Sequence, residues 1–219
     1  MTPAPLSQTA EDYLKAVYML QSERGRATTS ALAERVGVAP PSATAMLKKL
    51  AALRLVVHEP YRGVRLTPAG EKAAVEVIRH HRLLEQYLSE TLGVPIDELH
   101  AEADRLEHAL SEELEARIDE SLGYPTHDPH GDPIPDAELN LAPPPLRSLA
   151  ELAPGEKATV LRVPDGDDEL LRYLSSLALL PGRVVAIVRS GPFGGPVTVL
   201  AGGAEHAIAR ELAARIGVA

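Results

Sequence analysis

A cluster of imidazole and carboxylate side chains lies near the middle of the sequence, in the segment HAEADRLEH. Its members are His100, Asp104, Glu107 and His108. On an α-helix, offsets of four, seven and eight residues return to about one 100° sector, so these side chains would converge on one side. Convergent imidazole and carboxylate groups are suitable ligands for a divalent metal ion. The spacing therefore predicts a metal-binding helix face.

Two further groups add candidate ligands. His81 and Glu85 are four residues apart on a preceding helical pattern and share one face, and Asp12 follows Glu11 in the first predicted helix. Each group has a simpler interpretation. Asp12 could merely favour a helix N-terminus, and the other groups could be solvated faces or a surface hydrogen bond. The other histidines are interpreted as structural or surface residues: His58, His80, His127, His130 and His206.

The composition restricts the type of metal site. The chain of 219 residues contains no cysteine, which excludes disulfides, zinc fingers, iron–sulfur ligation and thiol catalysis. Any metal site must therefore use histidine and carboxylate ligands. Neither a basic start followed by an apolar run nor an apolar stretch of roughly 20 residues is present, so we expect a cytoplasmic protein without a membrane segment.

The net charge of −9 conceals an uneven distribution. Residues 1–72 carry 10 basic and 6 acidic side chains, residues 73–150 carry 5 and 17, and residues 151–219 carry 7 and 8. The basic N-terminal part could bind phosphate, and the acidic middle part could bind cations.

The N-terminal part has the pattern of a winged helix-turn-helix. We predict helices from Thr9 to about Arg24 and from Thr29 to Val36, and a third helix that begins at the Pro40–Pro41 pair. The runs LVVHE and VRLT flank PYRG and predict a hairpin, the wing. The front of the third helix and the basic residues near it are the DNA-binding candidates: Pro41, Ser42, Ala43, Thr44, Lys48, Lys49, Arg62 and Arg65.

Small side chains at the front of the third helix offer few bidentate hydrogen bonds. Shape and methyl contacts should therefore contribute more to DNA recognition than direct base readout. The alternative is a structural three-helix unit with solvated lysines.

The remaining sequence predicts a helical segment and a small β domain. Thr67 and Pro68 open a long helix to Leu92, and a helical stretch from about Ile96 to Leu122 is interrupted near Ser111. Residues 124–145 contain seven prolines and predict a surface linker. Three β-rich runs and a short helix at 168–177 then predict a small antiparallel barrel. We expect domains at 1–72, 73–145 and 146–219.

Several motifs in this order resemble the diphtheria-toxin-repressor and manganese-transport-regulator family. They are EDYLKAVYML, YRGVRLTPAGEKAA, RHHRLLEQYL, HAEADRLEHALSEE and PHGDPIP. The resemblance implies a mainly α fold with a small β part. Its expected components are a winged helix-turn-helix, a helical dimerisation domain with two metal sites, and a C-terminal SH3-like barrel of the FeoA type.

The resemblance also implies which residues bind the metal. The primary site falls on Asp12, Asp104, Glu107 and His108, and the ancillary site falls on His81, Glu85 and His100. Polar groups of the barrel can complete the ancillary site. The matching barrel loop contains four acidic residues, none of which we assign: Asp165, Asp167, Asp168 and Glu169.

Departures from the family pattern bear on the metal. Iron-responsive members use sulfur ligands where this chain has Asp12 and Asp104, and a harder donor set favours Mn²⁺. Fe²⁺ remains an alternative, and Zn²⁺, Co²⁺ or Cd²⁺ could substitute in vitro. Shorter manganese regulators have a second carboxylate where this chain has Lys15. We therefore expect two separated metal sites rather than a tight binuclear cluster.

Together these features predict a metal-dependent regulator. As a metal-loaded homodimer it would bind a palindromic operator in double-stranded DNA and repress genes of metal uptake. A winged-helix regulator of an organic ligand is one alternative. A hydrolase using His81, Glu85, Glu107 and His108 is another, although the sequence supplies no nucleophile or general-base motif. We expect no enzymatic activity, no membrane and no small organic substrate.

Overall fold

The computed structural model describes residues 6–59, 63–141 and 145–219. They divide into two compact units. The first unit contains the described residues of Met1–His81, Glu107–Leu110 and Pro135–Leu141, and the second contains those of Arg82–Leu106, Ser111–Ile134 and Ala142–Ala219. Among the described residues, no helix combines the length and apolar character needed to cross a bilayer.

The first unit begins with three helices and a hairpin. The helices are α1 (Gln8–Arg24), α2 (Thr29–Val36) and α3 (Pro40–Ala52), and the antiparallel strands are β1 (Val56–Glu59) and β2 (Gly63–Leu66). The Ser7 hydroxyl caps α1 by accepting from the backbone N–H of Ala10. The predicted helix-turn-helix and wing are confirmed. Their shared core is aliphatic apart from one tyrosine and includes Tyr13, Leu14, Val17, Leu32, Ala43, Leu50 and Val64.

Helix α4 (Pro68–Leu92) contributes residues to both units. Thr67 Oγ1 accepts from Gly70 N at 3.1 Å, so Thr67 caps the helix as the sequence predicts. A Cβ at Gly70 would lie 1.9 Å from the carbonyl oxygen of Leu55, so only glycine allows this close approach. These contacts fix the start of α4 against the segment that precedes the wing.

The helical stretch after α4 differs from the prediction. Helix α5 (Leu99–Leu106) ends before a 3₁₀ turn, Glu107–Ala109, and α6 (Glu112–Ser121) follows. Ser111 adopts an extended conformation and caps α6 through Leu114 N, so the preceding helix must end earlier and its end tightens into the 3₁₀ turn. The interruption near Ser111 is confirmed, but the prediction that Glu107 and His108 continue one α-helical face is wrong.

The second unit also contains six strands: β3 (Arg147–Ser148), β4 (Lys157–Arg162), β5 (Val184–Ser190), β6 (Val197–Ala201), β7 (Ala204–Ile208) and β8 (Gly217–Val218). They form an antiparallel sheet in the order β3-β8-β4-β5-β6-β7. A short helix, α7 (Asp168–Ser176), separates β4 from β5, and α8 (Arg210–Ala213) precedes β8. The predicted β runs and short helix are confirmed.

Part of the predicted surface linker is an ordered loop. Ile134 N donates to Thr126 O at 2.9 Å, and Asp128 N donates to Asp132 O at 3.0 Å. His130, within this loop, is fully buried. The proline content predicts an irregular segment. It does not predict that the loop is held by its own hydrogen bonds or that a polar side chain of the loop is buried.

Candidate metal centre

The first unit contains a cluster of three potential ligands, which we name the Asp12 cluster: Asp12, Glu107 and His108. Their ligand atoms lie within 4.8 Å of one another. His108 Nε2 lies 2.8 Å from Asp12 Oδ1 and 3.5 Å from Glu107 Oε1. Helix α1 supplies Asp12, and the 3₁₀ turn supplies the other two. Two distant parts of the sequence therefore present one imidazole and two carboxylates to the same point.

The other ring nitrogen of His108 meets a further carboxylate. His108 Nδ1 lies 2.7 Å from Glu11 Oε2. Metal-binding histidines usually donate their second N–H to such a group, which fixes the ring and its tautomer. In a metal-bound site Nδ1 would donate to Glu11, and Nε2 would be the atom directed at the ion beside Asp12 and Glu107. Sequence reasoning assigned no role to Glu11, because adjacent positions on a helix point about 100° apart.

Lys15 lies against the opposite side of the Glu107 carboxylate. Its Nζ donates to Glu107 Oε2 at 2.8 Å and to Oε1 at 3.1 Å. His81 Nδ1 lies 3.0 Å from this ammonium and 2.5 Å from Glu107 Oε2. The Glu107 side chain is only 1% exposed, so Lys15 provides a nearby positive charge for a buried negative one.

The second unit contains a larger group, which we name the Glu85 cluster: Glu85, His100, Asp128, His130 and Asp165. Ligand atoms of Glu85, His100 and Asp165 lie within 4.8 Å of one another, as do those of Glu85, Asp128 and His130. His100 Nδ1 lies 3.4 Å from Asp165 Oδ2 and 3.7 Å from Glu85 Oε1. His130 Nδ1 lies 3.6 Å from Glu85 Oε2. The side chains of this cluster come from helices α4 and α5, from the 126–134 loop and from the segment after β4.

Backbone contacts explain why the loop and the C-terminal sheet meet at this cluster. Val163 N, just beyond β4, donates to His130 O at 2.9 Å. Gly131 has a φ of 87°, and a Cβ there would lie 1.8 Å from the carbonyl oxygen of Leu161. Glycine therefore permits the loop to lie directly on β4, which brings His130 next to the Asp165 segment.

Arg82 and the loop backbone hold Asp128 in place. Asp128 Oδ1 accepts from His130 N and Asp132 N, both at 2.9 Å. Arg82 Nε lies 3.6 Å from Asp128 Oδ2, and Arg82 Nη1 donates to Pro133 O at 2.6 Å. Helix α4 thus supports the loop that presents the two buried side chains.

Burial and mutual repulsion perturb the protonation of the Glu85 cluster. Burial, followed by the charge of Glu85, raises the pKa of Asp128 to about 7. Burial disfavours the charged form of His130, but interactions with Glu85 and Asp165 outweigh it and raise the pKa of His130 to about 9. Excess negative charge in a buried site therefore favours uptake of a cation, either a proton or a metal ion.

The donor chemistry fits a divalent metal ion. His130 Nδ1 is buried, lies 3.6 Å from Glu85 Oε2 and makes no hydrogen bond with the described residues, so loss of its proton would make it a nitrogen ligand inside the cluster. All other donors in both clusters are carboxylate oxygens or imidazole nitrogens. Such donors suit Mn²⁺ and also accommodate Fe²⁺ or Zn²⁺.

The structure distributes the ligands implied by the resemblance between the two units. Asp12, Glu107 and His108 come together in the first unit, where His81 contacts Glu107. Asp104 lies in the second unit, with Oδ2 3.5 Å from His100 Nε2. Of the four acidic residues in the barrel loop, Asp165 joins the Glu85 cluster, whereas Asp167 caps α7.

Sequence reasoning missed Asp128 and His130. Their signal was the PHGDPIP motif, which contains His130, together with Asp128 immediately before it. The motif supported the family resemblance but was not interpreted as a source of ligands. Prolines on both sides favoured the interpretation of a linker instead. Only the folded loop shows that both side chains point inward.

The structure shows which of the candidate DNA-binding residues are exposed. Pro41, Ser42, Thr44, Lys48 and Lys49 are exposed on α3. Thr44 Oγ1 donates to Pro40 O at 2.9 Å, which leaves its methyl group and oxygen lone pairs available.

The three remaining candidates differ from one another. Ala43 is fully buried in the core of the first unit, so including its side chain among the DNA contacts is not compatible with the structure. Arg65 is exposed on β2, and Arg62 lies outside the described residues.

Comparisons with known proteins agree with these features. Residues 5–64 match the iron-dependent repressor N-terminal DNA-binding domain. Residues 67–136 match the iron-dependent repressor metal-binding and dimerisation domain. Residues 147–219 match the FeoA domain.

Some relatives resemble almost the whole chain, and others resemble about half of it. The iron-dependent repressor IdeR of Mycobacterium tuberculosis is 32% identical over 225 residues, covering 97% of each protein. The regulator MntR of Geobacillus kaustophilus is 38% identical over 52% of this chain and 80% of its own length. A solved manganese-dependent transcriptional repressor in complex with manganese is 39% identical, with a TM-score of 0.87 over 95% of this chain and 98% of that structure.

The matched regions follow one another in the same order as the helix-turn-helix, the helical segment and the antiparallel sheet. The resemblance and the fold class predicted from the sequence are therefore confirmed. This chain belongs to the iron-dependent repressor family, the metal-dependent, DNA-binding transcriptional repressors that include IdeR, the diphtheria toxin repressor and MntR.

Proposed function

We propose that this chain is a Mn²⁺-dependent repressor that binds a palindromic operator as a homodimer. The observation that carries the proposal is the convergence of Asp12 with Glu107 and His108. Helix α1 packs in the same core as α2 and α3, so a ligand on α1 is linked to the DNA-binding helices by direct packing. A divalent ion held by the three side chains would bind this helix to the 3₁₀ turn.

The residues have distinct proposed roles. Asp12, Glu107 and His108 bind one ion, and Glu11 orients the imidazole. The Glu85 cluster binds a second ion. His81 and Asp104 are retained as proposed ligands on the basis of the resemblance. When bound, the ion supplies positive charge that lets closely spaced carboxylates stay together.

The choice of Mn²⁺ rests on the donor atoms. Both clusters consist of carboxylates and imidazoles, and the sequence contains no cysteine. Oxygen-rich donor sets favour Mn²⁺ over metals that prefer sulfur. In vitro we also expect Fe²⁺, Zn²⁺, Co²⁺ and Cd²⁺ to bind, because affinity follows the general transition-metal order, whereas availability selects the metal in the cell.

Exposed apolar side chains support the homodimer. Leu92, Leu106 and Leu114 are 62%, 43% and 49% exposed in the second unit. They belong to the segment that matches the metal-binding and dimerisation domain. Covering them with a second copy would remove apolar surface from water. Two copies of α3 related by a two-fold axis would fit half-sites about one helical turn apart.

The proposal can be tested with DNA selected from a random duplex library by the full-length protein in the presence of Mn²⁺. We expect a palindromic consensus, a protein dimer by light scattering, and operator affinity that falls at least about tenfold when Mn²⁺ is removed by a chelator. Equal affinity with and without Mn²⁺ would exclude the mechanism. Turnover of a generic phosphoester would instead favour the hydrolase alternative.

A further inference from the structure

Phe193 is the only phenylalanine in the chain, and its side chain is 106% exposed. It lies in the short 3₁₀ turn Pro192–Gly194, between β5 and β6. Its φ of 55° and ψ of 38° are in the left-handed region, which is unfavourable for a residue with a bulky side chain. Backbone strain of this kind is concentrated at functional positions. The turn therefore holds a large apolar ring in water at a cost to stability.

Hydrogen bonds and prolines make this turn rigid. Gly191 N donates to Pro196 O at 2.8 Å, and Gly195 N donates to Pro192 O at 3.0 Å. The two prolines also fix their own φ angles on either side of the ring. Because the backbone already holds the ring in one place, little conformational freedom is lost when the ring inserts into a partner.

A small apolar cavity lies at the other end of the β4–β5 pair. Its volume is about 130 Å³, and the described residues that line it are His127, Gly131, Leu146 and Leu161. Apolar cavities of about 150 Å³ hold a benzene ring. The cavity therefore has the size and the character of a binding site for a phenyl group.

The ring and the cavity are too far apart to meet within one chain. Thr159 pairs with Val184 at the beginning of β5, and Leu161 lies two residues further along β4, beyond that end. Phe193 follows the opposite end of β5, and a strand of 7 residues spans roughly 20 Å. A ring that enters this cavity must therefore come from another molecule.

We propose that the cavity binds Phe193 of a second copy of this chain, so that the C-terminal β domains, residues 147–219, associate with each other. Each copy offers one ring and one cavity, so a two-fold axis gives two equivalent contacts. The sheet face between the two features is also apolar. Ala186 pairs with Leu200, which is 43% exposed, and Val184 on the same face is 64% exposed.

The size of the interface sets its strength. Two buried rings of about 150–250 Å² each, with the neighbouring aliphatic side chains, bury less than the roughly 1,200 Å² of a stable complex. The contact is therefore weak alone, and it becomes effective where copies of the chain are held close together.

The single phenylalanine makes a direct test possible. The full chain is prepared with para-fluorophenylalanine, so that its fluorine NMR spectrum contains one resonance, from position 193. We expect this resonance to approach that of a buried ring as the protein concentration rises. Leu161→Glu, which places a charge in the cavity wall, should keep it at the position of an exposed ring. Tyr173→Ser, which removes a 43% exposed aromatic ring on α7, should behave as the parent protein.

Mixing shows whether the contact joins two molecules. Fluorinated Leu161→Glu has an intact ring and a blocked cavity, so its resonance should move when unlabelled parent protein is added. It should not move when unlabelled Leu161→Glu is added. If Leu161→Glu does not fold, His127→Glu introduces the charge at an exposed position of the same cavity.

Sedimentation velocity provides a second readout. Phe193→Asn removes the ring and retains a residue that tolerates left-handed backbone, so it should fold as the parent protein does and associate more weakly. A fluorine resonance that is identical in the parent protein and in Leu161→Glu at every concentration would overturn the inference. That result would not affect the proposed Mn²⁺-dependent operator binding, because Phe193 and Leu161 belong to neither the Asp12 cluster nor the Glu85 cluster.

Discussion

Oδ1 of Asp12 lies 2.8 Å from Nε2 of His108, although the two residues are 96 positions apart. The Asp12 side chain is 46% exposed, whereas that of His108 is 8% exposed. The aspartate therefore lies at the solvent edge of its cluster and contributes little to the hydrophobic core. This arrangement allows the metal-binding role of Asp12 to be separated from any role in folding.

Replacing Asp12 should remove the response to metal and preserve the fold. For Asp12→Ala we expect a free energy of unfolding within about 1 kcal/mol of the parent protein, because no apolar core contact is lost. The Mn²⁺-dependent increase in operator affinity should fall at least about tenfold. Chemical denaturation and fluorescence anisotropy measure these two quantities.

The matched control is Glu34→Ala, which removes an exposed carboxylate from the same unit. It should retain the full response to Mn²⁺. An undiminished response in Asp12→Ala would show that α1 does not donate a ligand.

Glu11 should act on metal affinity through His108. Its Oε2 accepts from His108 Nδ1 at 2.7 Å, and loss of such an orienting partner typically lowers metal affinity about 10–100-fold. We expect this loss for Glu11→Ala and a smaller one for Glu11→Gln, which keeps a hydrogen-bond acceptor. Calorimetric titration with Mn²⁺ in the His130→Ala background isolates the Asp12 cluster. Equal affinities for both variants and their parent would contradict the orienting role.

Helical spacing singled out Glu107 and His108, which the structure places beside Asp12, but it gave the wrong local geometry. The pattern assumes a continuous α-helix, whereas α5 ends at Leu106 and Glu107 and His108 lie in the 3₁₀ turn that precedes the cap at Ser111. Asp12 meets His108 through tertiary packing, and no local periodicity contains that information. The family resemblance supplied the pairing instead.

His130 shows a different limit of sequence reasoning. Proline content identified its segment as irregular, but the burial of the side chain depends on Asp128, Gly131 and the contact with β4.

The burial of Ala43, by contrast, could have been predicted from the sequence. The residue is buried in the same core as Leu32 and Leu50, and a closer comparison with the apolar positions on α3 could have excluded it from the DNA-binding set.

Metal binding at the Glu85 cluster should strengthen as the pH rises. Burial opposes the charged imidazole, but Glu85 and Asp165 raise the pKa of His130 to about 9, so the metal-free protein holds a proton there at neutral pH. An ion that uses this imidazole must displace that proton. We expect Mn²⁺ affinity to rise about tenfold per pH unit from about pH 7 to about pH 9. Titration calorimetry with the Asp12→Ala variant measures this affinity at each pH.

The same pKa shift predicts the stability of the metal-free protein. Because the folded pKa of about 9 exceeds the ordinary value of 6.5, the proton stabilises the fold fully below about pH 6.5, and this contribution is lost as the pH rises towards 9. The increase in Tm caused by Mn²⁺ should therefore be larger at about pH 8 than at about pH 6.5. His127→Ala, in the same loop but exposed, is the control. A pH-independent affinity would show that His130 is not a ligand.

Lys48 should contribute to DNA affinity without contributing to sequence preference. It is exposed on α3 behind the small side chains of Ser42 and Thr44, where a lysine reaches phosphate rather than base edges. We expect Lys48→Ala to lower the affinity for operator DNA and for random-sequence DNA to a similar degree. It should also reduce the slope of log affinity against log salt concentration by about one. Lys157→Ala, an exposed lysine on β4, should change neither quantity. If Lys48→Ala instead weakened the operator alone, α3 would have to approach the major groove with Lys48 against a base, and the proposed division between phosphate and shape contacts would be wrong.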